Sequence, residues 1–487
     1  MSRNNNYLPK LAGFGLLIFS AYSNICAAEP LTYKQALQEI INTYPTLTIA
    51  ALQVEKARQN LTKVESTLGW NLTAEGGYNH DLSTFAVPVD TGDAIASLNR
   101  KLESGHSVGI SGRYRYEDNQ FSISPQLPNP YESTAVDLNY RVPFGRGKDN
   151  PDYAQGLATA NASVTFEQAN QYAVRNQLAE QAKELFYGAA IVRARYSTAQ
   201  DGVKRAIRFK KYIQDRVDLG LAEENDYLQA EAQLQLQISE MKTLEVLWEQ
   251  QRTTLNRLMG RDWEKEFTPT LVSKRKKYRK VDLPELIQQS ETNSPDLLRN
   301  KAVLEQSEAE LALQRNNRKN KLDLVLSVGV RRVNGDSSVG TIDERDTAGG
   351  IRIEYQNALD KRGLDAGIYQ AQLQKNIAEE ETRKVKDDLK YSVSGLVAEI
   401  NSSLVSVDSH TQRLKSEQNK FDNALELYRS GRIPTDRLIQ FENELRSAIF
   451  ALDQQKIEYE KRIRKLDILR GQVWQDIDYS TGKAVTK

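Results

Sequence analysis

Residues able to do covalent or metal chemistry are few in this 487-residue sequence. Its single cysteine is Cys26, and its three histidines, His80, His106 and His410, are widely scattered. That pattern argues against a cysteine or histidine metal centre and against disulfides. There is no glycine-rich phosphate loop. The many paired carboxylates fall on helix faces, where solvation is the default state, so nothing resembles a catalytic constellation. The chain therefore reads as a non-enzyme that needs no cofactor. With 66 basic against 65 acidic residues, it offers no charge excess to hold nucleic acid or an acidic polymer.

The first residues read as an export signal. Arg3 and Lys10 form a basic start, Leu11 to Tyr22 is an apolar run too short to span a bilayer, and Cys26-Ala27-Ala28 supplies small residues for cleavage after Ala28. A short N-terminal anchor is the alternative. Ile25 and Ser23 do not suit lipidation of Cys26. Removal of residues 1–28 would leave 64 basic and 65 acidic residues, and no thiol. No later segment reaches the roughly 18 apolar residues of a membrane helix, so a membrane part would have to be built of strands.

What must position any functional residue is an internal repeat. Pro45, Leu47, Leu61 and Leu72 match Pro295, Leu297, Leu311 and Leu322 at an offset of 250. Further on, the offset is 211: Gly220, Leu234, Ile238, Trp248, Leu255, Gly260 and Trp263 match Gly431, Leu445, Ile449, Tyr459, Leu466, Gly471 and Trp474. The difference, 39 residues, is extra chain in the first copy, and the Gly/Pro/Ser-rich stretch 81–133 is its expected place, read as a loop. The expected division is 1–28 signal, 29–270 first copy, 271–475 second copy and 476–487 tail.

Each copy reads helix, strand, loop, strand, long helix, turn, helix. Leu438, Phe441, Leu445, Ala448 and Leu452 carry the three-four spacing of a coiled-coil stripe. Residues 151–218 would form a helix roughly 100 Å long, matched by two half-length helices stacked end to end (32–68 and 226–259). In the second copy, 364–430 stands against 282–318 and 436–470. Strands are expected at about 70–80 and 134–144, and at about 321–332 and 347–357. Trp70, Leu72, Ala74, Gly76 and Tyr78 alternate with Asn71, Thr73, Glu75, Gly77 and Asn79, which fits a membrane barrel or a half-buried soluble sheet. A further alternating run, Val108 to Tyr116, reads as an extracellular hairpin or a barrel extension. Four membrane strands cannot close a barrel, and open edges are not tolerated in lipid, so other copies must complete them. Three chains would give twelve strands above a helical tube, with Gln229, Glu231, Gln233 and Gln235 available to line water.

Two turn motifs recur, residues 218–228 (Asp-Leu-Gly-Leu-Ala-Glu-Glu-Asn-Asp-Tyr-Leu) and 428–438 (Tyr-Arg-Ser-Gly-Arg-Ile-Pro-Thr-Asp-Arg-Leu). Each precedes a helix that closes as Leu255-Asn-Arg-Leu-Met-Gly260 or Leu466-Asp-Ile-Leu-Arg-Gly471. With the export signal and the duplicated helix–strand–strand–helix unit, over essentially all of the mature chain, the sequence resembles the TolC family of outer-membrane factors. The resemblance implies a mainly α homotrimer with a 12-stranded outer-membrane β-barrel and a long periplasmic α-helical barrel. It implies a passive duct in a tripartite efflux or type I secretion system, docked by a periplasmic adaptor (membrane fusion protein) and an inner-membrane pump, which supplies the energy and most of the cargo specificity. The tips, 219–225 and 430–435, would contact the adaptor through Leu219, Gly220, Leu221, Ser430, Gly431 and Arg432. Glycine suits both turns because the chain reverses there in a left-handed conformation, although a plain helix cap would explain it equally.

For the periplasmic aperture, the resemblance points to Asp226 and Tyr428 as members of a closing network. The family's arginine position holds Ile433, with Arg432 beside it, and the acidic-ring positions hold Arg437 and Gln440, unless Asp436 turns inward. Closure by another pairing, and weaker cation preference, are therefore expected. The alternative function is a periplasmic structural or adhesive coiled-coil protein with a soluble β-domain.

Overall fold

The computed structural model describes residues 29–82, 88–119, 128–272, 277–278 and 282–475; the expected signal 1–28 and tail 476–487 lie outside the described residues. Strand β1 (Glu29–Leu31) leads into α1 (Tyr33–Thr43) and α2 (Pro45–Glu65). Thr32 caps α1: its hydroxyl accepts from the Gln35 amide (3.3 Å), and the Gln35 side chain accepts from the Thr32 amide (2.9 Å), satisfying two otherwise orphaned donors. Pro45 opens α2, where the missing N–H would have had no helical partner. The first copy continues through β2 (Asn71–Leu82), β3 (Pro88–Lys101), β4 (Ser107–Asn119), β5 (Tyr131–Pro143), α3 (Pro151–Asp218), α4 (Glu224–Met259) and β6 (Phe267–Pro269). The second holds α5 (Leu283–Thr292), α6 (Pro295–Asn317), β7 (Lys321–Ser337), β8 (Gly340–Gln356), α7 (Arg362–Arg429) and α8 (Thr435–Leu469).

The helices form one layer of four columns: α2 above α4, then α3, then α6 above α8, then α7. Both long helices have 68 residues, about 100 Å of rise. Their surroundings differ, and so does their sequence. Helix α3 is flanked on both sides and buries a seam of small residues, Ala160, Ala162, Ala169, Ala179, Ala182, Ala189, Ala190, Ala199 and Ala206, which lets its neighbours approach closely. Helix α7 lies at one margin of the layer and leaves Tyr369, Tyr391 and Val405 exposed. At the opposite margin α2 and α4 expose Ile49, Leu52, Leu228, Leu236 and Val246. Both margins thus expose apolar side chains.

Halfway along α3 a belt thickens the layer. Strand β1 pairs in parallel with β6, Glu29 with Phe267 and Leu31 with Pro269. Tyr33, Phe186, Tyr187, Trp248, Leu255 and Phe267 pack into the largest buried cluster, each fully buried large side chain contributing about 1.5–3 kcal/mol relative to exposure. Its polar atoms are paired: the Tyr33 hydroxyl donates to the Ala179 carbonyl (2.9 Å) and the Tyr187 hydroxyl to Glu460 Oε1 (3.2 Å).

All strands above the helices form one antiparallel sheet in the order β2-β3-β4-β5-β7-β8. The stretch 81–133, expected as a loop, therefore contributes two full strands among its described residues, and Val108–Tyr116 lies within β4. Among the described residues this sheet has six strands where four were expected, so a twelve-stranded barrel from three chains does not follow from it. The Gly, Pro and Ser content that suggested a loop is compatible with strands here because strand preference depends on cross-strand neighbours. Leu72, Leu98, Ile110, Leu138 and Val328 stand side by side across five strands, and Ala74, Ala96, Gly112, Val136 and Val330 form the next row. Over these rows the face is apolar and exposed, with Leu72 at 70% and Ile351 at 78% of full exposure, while His80, Asp90, Arg332 and Asp343 make its far end polar. The other face presents Thr73, Ser97, Ser111, Asp137 and Gly329. Among the described residues no helix is long and apolar enough to cross a membrane; the sheet carries the large exposed apolar face.

Candidate functional site at the helical tips

Far from the sheet, the two helical hairpins end in matching turns. After α3, the Gly220 amide donates to the Val217 carbonyl (2.8 Å) and the Leu221 amide to the Arg216 carbonyl (2.8 Å). After α7, the Gly431 amide donates to Tyr428 (2.9 Å) and the Arg432 amide to Leu427 (2.8 Å). This paired pattern closes a helix with its next residue in the left-handed region, and Gly220 (φ 70°) and Gly431 (φ 71°) fill that position. A side chain added at either would point into open space, so the glycines serve the backbone, not a contact. Leu219 (73%) and Leu221 (63%) project outward, and Ser430 and Arg432 are also exposed.

Beneath the turns, four helices converge on a small core of Phe209, Tyr212, Ile213, Ala230, Phe421, Ala424, Tyr428 and Leu438. Tyr428, expected at an aperture, is buried at its centre. Its hydroxyl shares a hydrogen bond with Thr435 Oγ1 (3.1 Å), and its ring packs against Phe209 (5.8 Å between centroids) and Tyr212 (6.2 Å). Burial raises the Tyr428 phenol above its ordinary range, and the nearby Asp226 charge pushes the same way. The Asp226 carboxylate itself accepts from the Glu223 amide (3.3 Å) at the start of α4, where a negative charge suits the helix dipole.

The residue that ties the two tips together is Arg216, which the sequence reading passed over. Its Nη1 donates to the Tyr428 carbonyl (3.4 Å) and its Nη2 to the Leu221 carbonyl (3.1 Å), with its guanidinium 5.7 Å from the Tyr428 ring centroid. The only available signal was a basic residue in the last turn of α3, a position that favours cations in any helix. Arg432 takes no part in this core.

On the exposed side of α8, Arg437 donates to Gln440 Oε1 (2.8 Å) and stacks 4.7 Å above Phe441, while Gln440 donates to Glu444 Oε1 (2.9 Å). Asp436 is exposed in the first turn. Further from the tips, a polar layer joins the hairpins: Arg205 to Glu442 (3.0 Å), Gln237 to Glu442 (3.2 Å), Gln233 to Asn443 (3.1 Å) and Arg446 to Glu240 (2.6 Å). Gly202 makes room, since a Cβ there would lie 2.9 Å from Gln237 Oε1. The run Gln229, Glu231, Gln233, Gln235 does not share one face: Gln233 turns into this layer and Glu231 pairs with Lys210. Residues two apart on a helix point in different directions, so these four could not have lined water together.

The sequence matches no family model and no curated protein. Solved structures do match. The outer-membrane protein VceC of Vibrio cholerae aligns over 90% of this chain and 96% of its own, with TM-score 0.63 and 14% identity. The CmeC outer-membrane channel of Campylobacter jejuni aligns over 92% of this chain and 90% of its own, with TM-score 0.60 and 12% identity. The MtrE outer-membrane channel of Neisseria gonorrhoeae, in its open state, aligns over 92% and 91%, with TM-score 0.60 and 16% identity. The chain shares the fold of these proteins.

Proposed function

We propose that this chain, which has the fold of outer-membrane channels, is a subunit of an outer-membrane efflux duct with a large periplasmic helical part. One observation carries the reading. The six-stranded sheet is apolar on one face and has two open edges, and the helical layer below it has apolar margins on the same two sides. In lipid, unpaired edge groups have no water to turn to, so such a sheet must close with further copies. A head-to-tail contact between unlike margins produces a ring when the rotation closes. Three copies are the number implied by the resemblance to the TolC family.

In that assembly the tips face the periplasm. Leu219, Gly220, Leu221, Ser430, Gly431 and Arg432 form the surface for a periplasmic adaptor that links the duct to an inner-membrane pump. Asp226, Tyr428, Arg432, Asp436, Arg437 and Gln440 stand around or just behind the aperture, whose closed form is held by Arg216 bridging to Tyr428. The exposed apolar leucines beside open glycine turns support the docking role.

The test is fractionation followed by electrophoresis and reconstitution. Recovery with outer membranes, an oligomer in detergent that dissociates only on heating, and discrete conductance steps in planar bilayers are the expected results. A soluble, non-conducting protein would reject the duct and favour a periplasmic coiled-coil protein.

A further inference from the structure

The hairpin β3–β4 is anchored at both ends like the strands around it. At the helix side its turn sits on the β5–α3 junction: the Asp149 amide donates to the Ser104 carbonyl (3.0 Å) and Asn150 Nδ2 to the Leu102 carbonyl (3.2 Å). Gly105 (φ 84°) sits so close that a Cβ would lie 2.2 Å from the Gly147 carbonyl oxygen. Arg100 reaches the end of the first helical column, donating to the Leu68 carbonyl (2.9 Å). At the far side, the Asn129 side chain pairs with the Asn119 backbone in both directions (2.8 and 3.0 Å). Leu98, Ala96 and Ala94 of β3, with Ile110 and Tyr114 of β4, continue the apolar face of β2 and β5, and Ser97, Asp93, Ser111 and Arg113 continue the polar one.

The width of the sheet also fits the helices below. Six strands spaced about 4.8 Å apart and tilted about 40° cover about 38 Å of circumference, and four helix columns about 9.5 Å apart cover about the same. Four strands would cover only about 25 Å.

We infer that β3 and β4 are wall strands of the barrel, that the β8 edge of one copy meets the β2 edge of the next, and that the pair sets the barrel's bore to that of the helical tunnel. Resting on the three-chain duct proposed above, this gives an eighteen-stranded barrel about 36 Å across at the backbone, instead of about 24 Å for twelve strands. Strand numbers of 16–18 are those that leave an open aqueous channel. The exit then admits solutes as wide as the tunnel does, and the tips alone restrict passage.

Paired cysteines test the strand order in the full chain, with Cys26 the sole native thiol. Glu75 faces Ile95, and Arg113 faces Ala135. Oxidation should link Glu75→Cys to Ile95→Cys and Arg113→Cys to Ala135→Cys. It should leave Glu75→Cys with Ala135→Cys unlinked, three strand spacings or about 14 Å apart. A link in that last pair, with loss of the other two, would place β2 beside β5 and overturn the inference. The bore is read by the largest polyethylene glycol that enters from the outer side of the channel. Excision of residues 84–128 keeps β2 and β5 antiparallel and on the same faces, so the limiting polymer diameter should fall by about a third. An unchanged limit in an assembled variant rejects the role in bore. If the excised variant does not assemble, the intact channel decides: an outer limit clearly below 20 Å would reject it. A protein that shows the expected links but neither membrane location nor conductance would retain the strand order and reject the duct.

Discussion

Arg216, in the last turn of α3, donates to the backbone carbonyl of Tyr428, in the last turn of α7, and holds its guanidinium 5.7 Å from that ring. One side chain thus fastens the tip of the first hairpin to that of the second. Hydrogen bonds from charged groups and cation–π contacts of this kind together contribute about 1–3 kcal/mol. Arg216→Ala should loosen the tip and, in the duct proposed above, raise open probability in bilayers, with Arg216→Lys intermediate. Single-channel recording checks this, and wild-type gating in Arg216→Ala would dismiss the latch.

Leu219 and Leu221 touch little in the chain, so Leu219→Ser combined with Leu221→Ser should leave thermal stability within about 0.5 kcal/mol of wild type. Capture of the periplasmic adaptor by the variant should fall at least tenfold. Undiminished capture would move the docking surface elsewhere.

Arg437 stands over Phe441 and donates to Gln440; at the aperture proposed above, a ring of carboxylates in their place would have favoured cations. The reconstituted channel should show weak cation preference, little altered by Asp436→Asn. Reversal potentials in a salt gradient give the answer; strong cation selectivity abolished by that substitution would show that Asp436 governs the aperture.

Alkaline pH should destabilise the helical body. The phenols of Tyr33, Tyr187 and Tyr428 are held above the ordinary tyrosine range, by burial first and then by neighbouring carboxylates. In the unfolded chain they ionise near pH 10, before the folded ones do, so the unfolded state releases protons first. Their stabilising contribution is complete below about pH 10 and is lost as pH rises toward the folded values. Thermal unfolding followed between pH 8 and 11.5 should show a falling midpoint, with a shallower fall in Tyr187→Phe.

Periodicity revealed the helices because stripes such as Leu438, Phe441, Leu445, Ala448 and Leu452 of α8 persist over many turns, and the repeat made every match count twice. The extra strands were harder to read. Leu98, Ala96 and Ala94 alternate with Asn99, Ser97, Ile95 and Asp93, a weak signal because Ile95 breaks the polar side, and only the register against β2 and β4 makes it a continuous sheet. At the tips, the turns at Gly220 and Gly431 were legible as local backbone requirements. The place of Tyr428 in a core, and the reach of Arg216 across to it, depend on how two hairpins 211 residues apart in the repeat come together. No local pattern encodes that meeting.

The pairing of β5 with β7 also imposes an order in time. Pro143 lies opposite Asp323, so the β5 edge stays bare until the chain has delivered α3, α4, α5 and α6. A long loop closure of this kind is slow, and during the wait an apolar sheet edge is available to any other unfinished chain. A copy halted before β7 would therefore be a template for aggregation, and the delay between the two halves is the interval in which a holding chaperone has most to offer.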